Sequence, residues 1–305
     1  MLELLASLAS TRGHDHAAVL WQLDREHGPA AIPQLRQIRR EGPGQLRRSA
    51  LEALLYLGGE EALDERDVAA VERLIRILLP DDRPEMIDGC WNHWFTVRGG
   101  DQAGIMAVLG LTHPRPATFP LGADVVEQGA HDRRQCELVF VTPELNGWTA
   151  VIGPWCDLTE PDTAEDVRGR LERLSAGYGE AHGFYFGSQN DGSAWLVARD
   201  GRTVRRFYEL DAAMAIGDPL PIEREVLARL GIDGRPEDLI DTDDRALADA
   251  FYQFAYELSG KDISAALSLD TTWGMPTDAT VRGTGVLARI PGATSGLLPP
   301  GCYSL

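Results

Sequence analysis

The first 80 residues repeat apolar side chains at steps of three and four, which is the spacing of one face of an α-helix. Four sets follow this spacing: Val19, Leu20 and Leu23; Ile32, Leu35 and Ile38; Leu51, Leu54 and Leu55; and Val68, Val71, Leu74, Ile75 and Leu78. Glycine and proline stand where each set ends, as expected at helix termini. The pattern predicts an N-terminal helical-hairpin domain over residues 1–90. The opening segment, which has Glu3 and no basic residue, is expected to be a helix and not a signal peptide.

One helix of this region resembles part of a known repeat. Residues 46–58, Leu-Arg-Arg-Ser-Ala-Leu-Glu-Ala-Leu-Leu-Tyr-Leu-Gly, are similar to the second half of a HEAT-type repeat. At most two such units are visible, whereas a solenoid needs three or more. The resemblance therefore implies a HEAT-like helical domain and not an extended solenoid.

Beyond residue 90 the apolar spacing changes to the alternation of β-strands. Strands are expected at 94–98, 138–142, 148–152, 183–187, 194–199 and 204–210, and helices at 102–111, 163–176 and 245–259. Residues 113–134, rich in Pro, Gly and charge, are predicted to be a loop. Hairpins outnumber crossover connections, so the fold class is α+β, with a mainly antiparallel sheet and flanking helices over residues 91–260. Residues 261–305 are expected to be an extended tail, either wrapped on the fold or partly disordered.

Charge and cysteine usage narrow the range of partners and locations. Forty-seven acidic and 29 basic residues give a formal charge of −18, which disfavours nucleic acid and anionic membrane surfaces as partners. No apolar run is long enough to span a membrane. The four cysteines form no C-x-x-C pair, and a cytoplasmic location is expected. The basic residues are almost all arginine, with Lys261 the only lysine, a bias that suggests a GC-rich genome.

A resemblance covers residues 94–290. Its main elements are Phe140-Val141-Thr142-Pro143, Asn146-Gly147-Trp148-Thr149, Tyr178-Gly179-Glu180 and Arg199-Asp200-Gly201. In this order they are similar to a family of uncharacterised bacterial proteins, chiefly of actinobacterial type. The segment Leu267-Ser268-Leu269-Asp270 is similar to a Trp-Ser-x-Asp-Pro stretch of that family but lacks its Trp and Pro. The resemblance supports the α+β prediction and supplies no catalytic residue. The chain combines a helical region with an α+β module. By loose analogy with regulatory or immunity proteins of similar organisation, this combination implies a regulatory or immunity-like role.

Motifs for metal, cofactor and covalent chemistry are weak. His14 and His16 flank Asp15, but two histidines at this spacing on a helix point to different faces, so no metal site is predicted. Neither a G-x-G-x-x-G nor a G-x-x-x-x-G-K-[ST] phosphate loop occurs, and no cofactor is expected. Cys156 is a conceivable reactive thiol, but its neighbour Asp157 would raise its pKa and oppose that role.

Aromatic residues on the predicted sheet are the leading candidates for a binding surface. The set considered is Trp148, Trp155, Tyr185, Trp195 and Tyr208. Because strand side chains alternate between the two faces, about half of the sheet aromatics should face the core. Whether the others are exposed or also buried is left open. If exposed, they would anchor a protein partner beside the acidic surface.

These observations lead to one expected function and two alternatives. The expected function is a non-catalytic cytosolic module that binds a basic protein partner in a regulatory or immunity-like role. The first alternative is an enzyme whose site lies in the cleft between the helical and α+β parts, near Trp91, His93, His131 and Arg133. The second is a structural subunit of an assembly, and self-association into a homo-oligomer is compatible with each.

Overall fold

The computed structural model describes residues 1–11, 13–87, 89–131, 137–188, 192–240, 242–302 and 304. Its N-terminal part is helical, as predicted. The helices are α1 (Leu2–Ser10), α2 (Gly13–His27), α3 (Ile32–Glu41), α4 (Gly44–Gly58) and α5 (Glu65–Leu78). The apolar positions identified from the sequence spacing meet around α4, whose Ala50, Ala53 and Leu54 are fully buried against Leu5 and Leu35. None of the described helices combines the length and apolarity needed to cross a membrane.

A mainly antiparallel sheet forms the centre of the rest of the chain. Its strands are β1 (Trp91–Arg98), β2 (Thr112–Pro116), β3 (Leu138–Val141), β4 (Glu144–Leu145), β5 (Trp148–Ile152), β6 (Glu180–Gly187), β7 (Ser193–Arg199), β8 (Arg202–Tyr208), β9 (Val281–Arg282) and β10 (Val286–Arg289). The strand order is β2-β10-β3-β5-β1-β6-β7-β8, with β4 and β9 paired beside β5. The predicted α+β class with an antiparallel sheet is confirmed.

Helices cover both faces of this sheet. They are α6 (Gln102–Leu109), α7 (Phe119–His131), α8 (Pro161–Tyr178), α9 (Pro221–Arg229), α10 (Arg245–Glu257) and α11 (Gly260–Leu267). One face, which carries Trp94, packs on α4, α5, α7, α9, α10 and α11. The other face, which carries Phe95, packs on α6 and α8. Alternate residues of a strand therefore enter two separate apolar cores, and both cores are closed by helices.

Helix α7 corrects the predicted loop over residues 113–134. Its low-propensity residues have positions that a helix tolerates: Pro120 lies in the first turn, where no intrahelical N–H partner is lost. Gly122 is needed for close packing, because a Cβ there would lie 2.6 Å from the Phe140 ring. Burial of Phe119 and Val125 against the sheet then outweighs the weak intrinsic propensity of the segment.

The C-terminal segment is also more structured than an extended tail. The prediction that the folded part ends with the helix near residue 259 is wrong, since α11 follows directly and β10 lies inside the sheet, hydrogen-bonded to β2 and β3. After β10 the chain returns to the N-terminal helices. There, the amide of Gly301 donates to the carbonyl of Tyr56 at 2.9 Å, and the amide of Glu60 donates to the carbonyl of Leu298 at 2.9 Å.

Candidate functional site

The sheet aromatics proposed from the sequence are mostly inside the molecule. Tyr185 and Trp195 are buried, and Trp148, Trp155 and Tyr208 are half-buried. Trp195 stacks on Phe207 with ring centroids 4.6 Å apart. Because helices cover both faces of the sheet, Tyr185 and Trp195 cannot contact a partner without unfolding. This is a correction to a binding surface that includes them.

The half-buried tryptophans are engaged within the chain as well. The guanidinium carbon of Arg170 lies 3.9 Å from the centre of the Trp155 ring, and Arg170 also donates to the Trp155 carbonyl. The ring centroids of Trp148 and His182 lie 5.2 Å apart. These side chains therefore cover the edges of the apolar cores, and they offer only part of their surface to a partner.

The cleft residues proposed for an enzyme are separated by the structure. Trp91 and His131 are in contact, edge to face, with ring centroids 5.7 Å apart. His93 is buried on β1, where its ring stacks on that of Tyr185 with centroids 4.7 Å apart and its Nδ1 lies 3.4 Å from Oδ1 of Asp157. Arg133 lies outside the described residues. Two of the four proposed residues thus meet, and His93 belongs to the core.

Two further side chains join Trp91 and His131. Cys90 immediately precedes β1, and Glu127 lies one helical turn before His131 on α7. One donor atom from each of Cys90, Glu127 and His131 lies within 4.8 Å of the other two. Nε2 of His131 is 2.8 Å from Oε1 of Glu127. Among the described residues, this is the set of His, Cys, Asp and Glu donors that converges as a metal site requires.

The sequence contained a signal for this cluster that the loop prediction hid. Glu127 and His131 are four residues apart, a spacing that places two side chains on one face when the segment is helical. In a loop, as predicted for residues 113–134, a spacing of four residues does not place two side chains together. The third member, Cys90, is joined to the pair only by packing of α7 against the start of β1, and no local pattern reveals that contact.

A cavity of about 650 Å³ lies among α1, α2 and α4 and includes both histidines of the His14-x-His16 motif. His16 approaches Glu52, with Nε2 3.5 Å from Oε2, and Arg48 donates to the other carboxylate oxygen at 2.9 Å. Glu52 is therefore already paired with a cation, and a third ligand does not converge with the two histidines among the described residues. We interpret this cavity as a groove between helices, in which the Arg48–Glu52 ion pair lies within α4 and the His16–Glu52 contact connects α2 to α4.

A chain of polar side chains crosses the sheet near its middle. Ser268 Oγ lies 2.8 Å from Thr96 Oγ1, which lies 3.3 Å from Nδ1 of His182. On the other side of the ring, Nε2 of His182 is 3.2 Å from Glu180. Burial lowers the pKa of His182, and Ser268 contacts threonine, not the imidazole. The chain therefore links the hydroxyls of Ser268 and Thr96 to Nδ1 of His182 and does not place the imidazole against the Ser268 hydroxyl as a catalytic base would be.

The remaining thiol proposed from the sequence is inert. Cys156 is fully buried, and this burial strongly raises the pKa of its thiol. The nearby Asp157 acts in the same direction, as expected from the sequence. A thiol that stays protonated is neither a nucleophile nor a ready metal ligand.

Helix α10 has the most exposed aromatic side chains of the described residues. Tyr252 and Tyr256 are 72% and 88% exposed, and their spacing of four residues places them on one face. Leu247, five residues before Tyr252 on the same helix, is also exposed. The opposite face holds the helix in place through buried Phe254, whose ring lies 6.1 Å from that of Phe207.

The surroundings of α10 are strongly acidic. Between residues 233 and 257 the chain has eight acidic residues and two arginines. One acid, Asp244, caps the helix by accepting from the amide of Ala246 at 2.8 Å, and Glu257 pairs with Arg229 of α9. The stretch of chain that contains the tyrosines therefore has an excess of negative charge, most of it in the segment that precedes α10.

No family model, curated protein or solved structure matches this chain. The resemblance of residues 94–290 to a bacterial family accordingly stays a prediction. Any functional conclusion depends on the geometry described above.

Proposed function

We propose that the protein is a non-catalytic binding module that captures a basic protein partner through the exposed face of α10. The observation that carries this proposal is the pair Tyr252 and Tyr256, exposed on a single acidic helix while the aromatics of the sheet are buried or half-buried. This face replaces the sheet surface expected from the sequence, and it retains the expected chemistry of aromatic anchors beside acidic charge.

Tyrosine and carboxylate side chains contribute to binding in different ways. Tyrosine offers a large contact area with few rotatable bonds, and it is enriched among residues that dominate binding energy. Carboxylates around it accelerate encounter with a cationic surface and disfavour acidic partners. Because Phe254 fixes α10 on the core, the tyrosines stand on a preformed helix, which lowers the entropic cost of binding.

The overall charge agrees with a basic partner and opposes self-association at this face. The chain has a formal charge of −18, so two copies meeting at α10 would bring like charges together. A cytoplasmic location and a regulatory or immunity-like role belong to the same proposal. They are supported by cysteine usage and by loose analogy with helical-repeat regulators.

The test is capture of a partner by matched variants. Tagged protein would be used to capture partners from lysate of cells that make it, and the main captured protein would be purified and titrated against wild type and variants. We expect a basic partner, affinity that falls as ionic strength rises, and at least a tenfold loss of affinity in Y252A/Y256A. Trp21→Ala is the control, because Trp21 is a similarly exposed aromatic on α2. Equal affinity of Y252A/Y256A and wild type would refute the proposal.

The enzyme alternative has one specific observation in its favour. Trp91 and His131, both proposed from the sequence for a cleft site, do meet, and Cys90 and Glu127 lie beside them. The same capture experiment separates the two functions, since a catalytic centre beside Trp91 and His131 predicts no loss of partner affinity on substitution of the α10 tyrosines.

A further inference from the structure

We propose that Cys90, Glu127 and His131 form a binding site for a divalent cation of the zinc type. The proposal is independent of the α10 face. It starts from the donor set: a thiolate sulfur, an imidazole nitrogen and a carboxylate oxygen are the ligand types that Zn²⁺ takes in proteins. Calcium and magnesium prefer oxygen ligands alone, so the sulfur argues against them.

The distances are close to those that a bound ion requires. Ligand atoms around a tetrahedral zinc ion lie roughly 3.4 Å apart, as follows from metal–ligand bonds of about 2.1 Å. The three donor atoms here lie within 4.8 Å of one another, and the closest pair, His131 Nε2 and Glu127 Oε1, is 2.8 Å apart. Binding would therefore open the His–Glu contact by about half an ångström and draw the sulfur inward, movements within the reach of side-chain rotation.

The backbone on both sides of the cluster is held in place. Gly89, which precedes β1, is fixed by Asn92 of that strand. The side chain of Asn92 accepts from the amide of Gly89 and donates to the Gly89 carbonyl, both at 2.8 Å. The hydroxyl of Ser188 donates to the carbonyl of Cys90 at 3.2 Å. On the helix side, the edge-to-face contact with Trp91 orients the His131 ring. Outer contacts of this kind orient metal ligands in established sites.

One carboxylate oxygen of Glu127 is in a position that a bound cation would stabilise. Its Oε2 atom is buried and has no hydrogen-bond partner among the residues that the structure describes. A buried carboxylate oxygen without a partner is unfavourable, and a cation would satisfy it. Gly89 makes room for this oxygen, because a Cβ at that position would lie 2.6 Å from it. The glycine is thus matched to the position of the carboxylate.

Among the described residues three donors converge, which leaves one coordination position for water or another ligand. Structural zinc sites are commonly closed by four protein ligands, whereas catalytic sites keep an open position. The exposure of His131 at the surface gives such a position access to solvent. As far as the described residues go, the cluster thus matches the open type of site.

The experiment uses Co²⁺ as a spectroscopic substitute for Zn²⁺ on the full chain after treatment with a chelator. We expect one Co²⁺ per chain, with the visible bands of a tetrahedral ion and a sulfur-to-cobalt charge-transfer band, both lost on addition of Zn²⁺. Cys90→Ser should remove the charge-transfer band. Glu127→Gln and His131→Gln should each weaken binding by about a hundredfold or more, since even loss of outer contacts costs 10- to 100-fold.

Matched variants locate the site. Cys156→Ala removes a buried thiol elsewhere, and His14→Gln/His16→Gln removes the histidines of the α1–α2–α4 cavity, so both should bind Co²⁺ as wild type does. Gly89→Ala keeps all three donors but displaces Glu127, and we expect about tenfold weaker binding. Circular dichroism of each metal-free variant checks the fold, and exposed His131 provides a variant that leaves the core intact.

The results that would overturn the proposal are equally specific. They are the absence of a cobalt spectrum in wild type, a charge-transfer band that survives Cys90→Ser, and loss of binding in the His14/His16 variant. Because Cys90 supplies a thiolate, binding should also weaken as pH falls and release protons when it occurs. Binding that does not change between pH 8 and pH 6 would contradict a thiolate ligand.

Discussion

Aromatic residues fill the interior of the sheet, whereas on helix α10 they stand at the surface. Trp195 and Tyr185 lie on central strands and are buried by helices on opposite faces of the sheet. Tyr252 and Tyr256 lie on a helix that packs through one side only, around Phe254. The same residue types therefore support the fold in one region and are available for binding in the other.

The difference arises from how each element is covered. A strand covered on both faces leaves no free side, so every aromatic on it enters one core or the other. A helix at the periphery buries one stripe and leaves the rest of its circumference in water. The number of layers around an element, more than the residue type, thus decides whether an aromatic side chain is structural or available.

The strongest test of this difference is Trp195→Ala. Trp195 is fully buried and stacked on Phe207, so truncation should leave a cavity and lower the free energy of unfolding by about 4 kcal/mol. Urea denaturation followed by circular dichroism measures this change. Trp21→Ala, at an exposed position on α2, should change it by less than about 1 kcal/mol. Equal losses in the two variants would show that the interior of the sheet is not tightly packed.

Two adjacent arginines of β8 allow the same comparison of buried and exposed groups for ion pairs. Arg205 is fully buried and donates to Glu223 at 2.6 Å and to Glu237 at 3.0 Å, whereas Arg206 pairs with the exposed carboxylate of Glu165. Arg205→Met should lower the free energy of unfolding by about 3 kcal/mol, because it leaves the buried Glu223 without its cation.

The control is Arg206→Met, which leaves behind a carboxylate that water can solvate. Its expected cost in the same urea experiment is smaller than that of Arg205→Met, because Glu165 stays solvated although Arg206 is itself buried. Adding Glu223→Gln to Arg205→Met should recover part of the loss, since the unpaired charge is then removed. If the double variant is no more stable than Arg205→Met, the ion pair is not the source of the effect.

A smaller effect is expected from Glu209, which follows β8. Burial raises the pKa of its carboxyl from 4.5 to about 7, so the folded chain keeps a proton that the unfolded chain releases at lower pH. Its contribution to stability is therefore fully present below about pH 4.5 and is lost as pH rises through 7.

Glu209→Gln should remove this dependence. Relative to wild type, the variant should gain up to about 2 kcal/mol between pH 5 and pH 8. Thermal unfolding midpoints at the two pH values measure the gain, with Glu72→Gln on the exposed face of α5 as the control. A parallel pH response of wild type and Glu209→Gln would show that Glu209 titrates normally.

Much of this architecture could be predicted from apolar spacing, because long periodic segments such as α4, α8 and β7 carry their own signal. Helix α7 could not, since Pro120, Gly122 and Gly129 resemble loop residues until the packing of Gly122 against Phe140 is known. Strand β10 pairs with strands more than 140 residues earlier, and no local pattern encodes that pairing. The Cys90 cluster was missed for both reasons, because it needs α7 and a contact between distant segments.

The smallest change in the free energy of unfolding is expected for the two tyrosines that we propose as the main binding residues. Tyr252 and Tyr256 are largely in water, so their joint replacement by alanine should alter the free energy of unfolding by no more than about 0.5 kcal/mol. Alanine also has the higher helix propensity, which offsets the small contacts that are lost. Urea denaturation of Y252A/Y256A beside wild type measures the change. A loss of several kcal/mol would place the tyrosines in the fold rather than in a binding face, and the contrast between α10 and the sheet would then fail.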